Sequence, residues 1–431
     1  MIIEATYLVL VATQSAKVGD PSLTAIIKLG VDELFGGIMR AAFPRIAFLA
    51  CLVAIGTGCG QMATTPASTP PPSPSPSCVP STHPEFAYVL NSADATISMY
   101  TADSCTGALT GSNPATVPTG VDNGFNAESM AIDPTGRFLY VANLGSNATD
   151  AATVSMFTID PNTGMLTATT PGQVPTGFYP QGIAASANFV YTANSDDNSV
   201  SMFTTNTSNG LLTPLSPSET FVPPLFSSRS SFSSPGFVTV GPSGQFLYVS
   251  DAGNGSISTF SINSKTGALT PTNPAGVIAG PYPWQVSFDP EGKFSYVPDE
   301  DIGDVYMYTV DAITGTLTPN PAVLVPAGNQ PAYMAVHPSG KFAYVVNRYD
   351  GTVSMYNIDP STGTLSANAP STVQAGGWPY PIAVNAAGTF VYVGNQDDSS
   401  LSIYSVGPTG VLTPAGTVQT GNDPVAIVLR N

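Results

Sequence analysis

Beyond residue 83 the apolar positions fall in short runs broken by Gly, Pro, Asn, Asp and Ser, and no segment free of Pro and Gly sustains a helical spacing. The unit from Pro331 to Ser366, PAYMAVHPSGKFAYVVNRYDGTVSMYNIDPSTGTLS, shows the pattern. YMAV is almost wholly apolar, as a strand covered on both faces would be. HPSG then predicts a tight turn in which Gly340 takes positive φ. KFAYVVN reads as a second strand and TVSMYNI as a third. Alternation in the third sets Val353, Met355 and Asn357 opposite Ser354, Tyr356 and Ile358, one face packed and the other mixed. DPSTG turns the chain again, and TLS begins a short outer strand.

The same unit recurs. Its second strand carries Tyr88, Tyr140, Tyr191, Tyr248, Tyr296, Tyr344 and Tyr392, at spacings of 52, 51, 57, 48, 48 and 48 residues. That period suits one four-stranded sheet and is too short for a domain, which is the mark of stacked repeats. The first turn returns as DPTG, GPSG and DPEG, and the second as DSCTG, DPNTG, NSKTG and DAITG. The prediction is an all-β fold, a seven-bladed propeller of four-stranded antiparallel blades. The ends complement each other. The first unit opens at EFAYVLN (85–91) without an innermost strand, and the chain finishes on one, NDPVAIVLRN (422–431). Pairing the two closes the ring and removes a free edge.

Residues before 83 differ. From Met39, Arg40 and Arg45 precede an apolar run ending at Ile55, then GTGC, so 39–59 read as an export signal too short to span a membrane. The ending is similar to the bacterial lipoprotein signal, which would make Cys59 the lipidated residue; plain secretion and a retained anchor are the alternatives. Residues 1–38 hold Asp32 and Glu33 and are read as a misannotated upstream segment. Residues 60–82 are rich in Pro, Ser and Thr, an extended tether to a membrane ahead of the propeller at 83–431. Cys78 and Cys105 then remain as an even pair in an oxidising compartment, which predicts a disulfide.

Lys and Arg number 11 against 28 Asp and Glu, a formal charge of -17. That balance excludes binding along a nucleic-acid backbone.

The segments YVLN, YVAN, YTAN, YVSD, YVPD, YVVN and YVGN resemble the YVTN-type seven-bladed propellers, the family that includes propeller lactonases acting on 6-phosphogluconolactone. The resemblance covers roughly 83–431 and implies the propeller fold and, as an activity, lactone hydrolysis. Some of that family group a Glu, an Arg and a His around the central cavity. Here the histidines are His83, ending the tether, and His337, in a turn where sister units carry Asp133 and Asp289; both read as structural.

Aligning the starts of the innermost strands places unlike residues around one mouth. Trp284, Tyr333 and Tyr380 are candidates to stack on a flat ligand, with Gln181 and Gln285 hydrogen-bonding it; the alternative is that these aromatics plug the channel. Glu128 is the carboxylate of those slots and a general-base candidate, with Arg229 as its partner if the long loop 214–235 folds inward. Asp299, Asp301 and Asp304 form the densest acidic cluster, a candidate Ca²⁺ site, with a solvated acidic rim as the alternative. No other cofactor is expected. The leading reading is a monomeric, exported, membrane-tethered module binding a protein or carbohydrate-like ligand. The alternatives are a lactonase-like hydrolase acting on a sugar lactone, and a structural cell-surface repeat protein.

Overall fold

Each Tyr-Val-x-Asn segment becomes the second strand of a separate antiparallel sheet, and there are seven such sheets. The computed structural model describes residues 84–120, 127–145, 152–222, 234–320 and 324–430. Residues 1–83 lie outside the described residues, and with them the leader, Cys59, the tether, Cys78 and His83. Cys105 is disulfide-bonded; its pairing with Cys78 is a proposal, because only one of the two lies among the described residues.

The tail closes the ring. Pro424–Arg430 pairs antiparallel with Glu85–Asn91, so that Tyr88 faces Val428, and the first sheet runs last strand, first, second, third. We number this sheet blade 1. Blades 2 to 7 have their Tyr-bearing strands at Phe138–Asn143, Phe189–Asn194, Phe246–Asp251, Phe294–Asp299, Phe342–Asn347 and Phe390–Asn395.

One clasp, repeated around the ring, explains the sequence period. The hydroxyl of the second-strand tyrosine donates to a glycine carbonyl in the second turn of the next blade. Tyr88 reaches Gly164 at 2.7 Å, Tyr140 reaches Gly210 at 3.1 Å, and Tyr191, Tyr248 and Tyr296 reach Gly267, Gly315 and Gly363 at 2.9 Å each. Tyr344 reaches Gly410 at 3.0 Å, and Tyr392 returns to Gly107 in blade 1. All seven rings are buried, and burial pushes their phenols well above the usual tyrosine range, so they remain donors. Each of these glycines has positive φ and touches the phenylalanine two residues before the clasping tyrosine. A Cβ on Gly164 would lie 2.3 Å from the Phe86 ring. The glycine of every second turn, preceded by Thr in all but blade 3, is therefore a docking point for the preceding blade.

Three details depart from expectation. The third strands are covered on both faces, Ser354 and Tyr356 being as buried as Val353 and Met355. The reason is that Ser354 receives the Asn347 amide at 2.9 Å, and Asn91, Asn143, Asn194 and Asn395 repeat that bond to Ser98, Ser155, Ser201 and Ser402. The outer strands are long outside blade 5: Leu212–Phe221 is a strand of ten residues, so part of the loop assigned to 214–235 is sheet edge. Blade 5 has an innermost strand of only Ser287–Phe288. Pro298 in its second strand has no N–H for the ladder, and what survives there is a bond from Trp284 N to its carbonyl at 3.0 Å.

Candidate functional site

The loops feeding the innermost strands are built alike. The residue before the leading proline adopts positive φ at Tyr179, Gln330, Trp378 and Asp423 (52 to 57°). Its carbonyl receives the N–H of the residue that follows the second-strand Asn. Ser195 donates to Tyr179, Arg348 to Gln330, Gln396 to Trp378 and Ser92 to Asp423, at 2.9 to 3.1 Å. Glu300 donates to Tyr282 in the same way. This left-handed geometry is costly for a non-glycine residue, and here it persists where a hydrogen bond fixes it. The result puts two variable side chains per blade side by side on the channel mouth.

Acidic residues hold these loops in place. Asp350 accepts from Asn329 N at 2.8 Å, Asp398 from Gly377 N at 2.6 Å and Asp94 from Asn422 N at 2.6 Å, while Asp197 accepts from Phe178 N. Asp299 is fully buried and accepts from the backbone of Tyr282, Asp301 and Ile302. Ca²⁺ binding by Asp299, Asp301 and Asp304 stays a proposal, set beside these bonds. The Asp299 oxygens are committed to amides, and among the described residues no group of three metal-ligating side chains is assembled.

Blades 4 to 7 fill the channel with aromatics. Phe237 and Trp284 lie 4.7 Å apart by ring centroids, Trp284 and Tyr380 5.3 Å, and Tyr333 and Tyr380 5.1 Å, the last two pairs edge to face. The predicted stacking residues are thus brought together, but their faces cover one another. They form a floor across the channel. Beneath it lies a cavity of about 120 Å³ lined by Ser129, Gly182, Gln285, Tyr333 and Pro381. Gln285 lines that cavity, whereas Gln181, half-buried, is the second residue of the innermost strand Pro180–Ala185 of blade 3. Burial raises the Tyr333 phenol, and the charge of half-buried Glu128 adds to the rise. Arg229 lies outside the described residues, so the proposed pairing with Glu128 has no structural counterpart here.

A different charged pair sits on the floor. Arg348 Nη1 donates to Glu300 Oε1 at 3.2 Å, and both side chains are largely shielded. The guanidinium lies over Trp378 and Tyr380 at 4.9 Å and over Trp284 at 5.5 Å. Trp284 Nε1 donates to the other oxygen of Glu300 at 2.9 Å. The Arg348 Nε is buried and has no partner among the described residues. Burial pushes the Glu300 carboxyl above the ordinary range; Arg348 and the indole pull it back, and Asp301 adds to the rise. A carboxylate displaced toward neutrality beside a partly unpaired guanidinium is equipped for proton transfer and for holding a developing negative charge.

The comparisons decide the family. A profile described as "Lactonase, 7-bladed beta-propeller" matches residues 77–225, 219–328 and 321–429. The chain belongs to the lactonase family of seven-bladed β-propellers. Solved structures share its fold. A candidate 6-phosphogluconolactonase of Bacteroides fragilis is 22% identical, with a TM-score of 0.68 over 82% of this chain and 100% of that one. The periplasmic gluconolactonase PpgL of Pseudomonas aeruginosa is 21% identical, with a TM-score of 0.66 over 80% of this chain and 99% of that one. No curated protein matches in sequence.

Within this lactonase-family propeller, sequence reasoning missed Glu300, Arg348 and Trp378. A signal existed. The slot after the second-strand Asn or Asp reads Ser92, Leu144, Ser195, Ala252, Glu300, Arg348 and Gln396, where the only opposite charges stand in adjacent blades.

Proposed function

We propose that this lactonase-family propeller hydrolyses a sugar lactone at its mouth, with Glu300 as general base and Arg348 as the group that stabilises the oxyanion. The observation that carries the reading is the shielded Arg348–Glu300 pair, completed by the Trp284 indole. Glu300 takes a proton from water as the water oxygen adds to the lactone carbonyl. The carbonyl oxygen gains negative charge and receives Arg348 N–H donors that Glu300 does not occupy. Collapse breaks the ring C–O bond, and the proton held on Glu300 passes to the ring oxygen, giving the open hydroxy acid. Desolvation strengthens each of these interactions.

Membership in the family supports hydrolysis, and this reverses the order in which the sequence ranked the binding-module and hydrolase readings. Export belongs to the same proposal and rests on residues 39–59, with lipidation at Cys59 its finer form. The test is titration of acid released from D-glucono-δ-lactone by the purified full chain. Enzyme-dependent release above the spontaneous rate supports the reading, and its absence across sugar lactones removes it.

A further inference from the structure

A second cavity opens beside the charged pair. It measures about 360 Å³, within the range of small-molecule sites, and is lined by Glu300, Asp301, Ile302, Gly303, Asn329, Gln330 and Tyr349. Two of its features have no structural use. Tyr349 is 70% exposed, an aromatic face left open where its sister positions carry Asp196 and Asp397. Gln330, held at a φ of 53°, has a buried Oε1 with no donor among the described residues, a cost unless a donor arrives. The cavity shares Glu300 with the proposed hydrolytic pair, so whatever fills it is joined to, or adjoins, the lactone.

We propose that this cavity is a subsite for an uncharged sugar unit attached to the lactone, which makes the substrate class an oligosaccharide aldonolactone. The inference rests on the hydrolase reading above and adds the substrate's shape. A pyranose offers C–H groups on one face, which pack on the open Tyr349 ring, and hydroxyls at its edge, which supply donors to Gln330 and Asp301. The lining holds the carboxyls of Glu300 and Asp301 and no Lys or Arg. A phosphate on the far end of the lactone would meet like charge there, whereas a neutral sugar would not.

The full chain is assayed on D-glucono-δ-lactone, its 6-phosphate and cellobiono-δ-lactone, and calorimetry follows cellobionate binding. The disaccharide lactone should exceed gluconolactone in kcat/KM by about tenfold, the scale of one stacked ring, with the phosphate ester poorest. Tyr349→Ala should bring the ratio of disaccharide to monosaccharide toward one and abolish cellobionate binding, and Tyr349→Trp should restore both. Equal kcat/KM for the two neutral lactones, preference for the phosphate, or binding indifferent to Tyr349 overturns the subsite. Tyr349-dependent binding without turnover of any lactone keeps the subsite and removes the hydrolase reading.

Discussion

The hydroxyl of Tyr392 donates to the carbonyl of Gly107 across 3.2 Å, joining residues 285 apart in sequence. It is the seventh clasp of the ring, made between the last blade and the first. Tyr392→Phe removes the donor and leaves a buried carbonyl unpaired, at a cost of about 1–3 kcal/mol. Urea unfolding should show that loss. A Gly107→Ala chain should lose more, because its Cβ would fall 2.4 Å from the Phe390 ring at a φ of 70°.

Removing residues 422–431 deletes the strand paired with Glu85–Asn91 and strips blade 1 to three strands. The exposed edge and the lost apolar contacts of Val425 and Ile427 should abolish cooperative unfolding and open the ring to limited proteolysis. A truncated chain with the parent's midpoint would show that the closure is dispensable.

Arg348→Met keeps the stem over the aromatics and removes the charge. The expected loss is about 10²- to 10³-fold in kcat, the scale of one oxyanion donor, with KM changed much less. Steady-state kinetics on a lactone separates this from a purely binding role, which would raise KM alone.

The acid limb of kcat/KM should follow Glu300. Burial raises that carboxyl, so the active ionised form is lost at a pH above the ordinary glutamate value. Trp284→Phe deletes a donor to the ionised form and should move the limb higher. Asp301→Asn deletes a neighbouring negative charge and should move it lower. Limbs that fail to separate in these directions would assign the titration to another group.

How far the sequence carried the account differs between frame and site. The strands, both turns and the closure by residues 422–431 were legible because each repeat must satisfy the same clasp, so the tyrosine and the turn glycine recur in every unit, the tyrosines 48 to 57 residues apart. Blade 5 was not, because a single Pro298 disrupts a ladder that its neighbours keep. At the mouth, Trp284, Tyr333 and Tyr380 were found at the right level, but a sequence does not show that neighbouring rings cover one another. Glu128 stood out as the carboxylate of its slot, while Glu300 was hidden among acidic residues whose job is to staple loops. Asp299 has that job, its oxygens accepting the backbone amides of Tyr282, Asp301 and Ile302. Arg348 becomes meaningful only when blades 5 and 6 are placed edge to edge.

The most direct test sets two isosteric replacements side by side. Glu300→Gln and Glu128→Gln are compared with the parent full chain for kcat/KM on one sugar lactone, with thermal unfolding confirming that each is folded. The account predicts a loss of about 10²- to 10⁴-fold for Glu300→Gln, as expected for a general base, and near-parent turnover for Glu128→Gln. Full activity in Glu300→Gln, or its loss in Glu128→Gln instead, would contradict it.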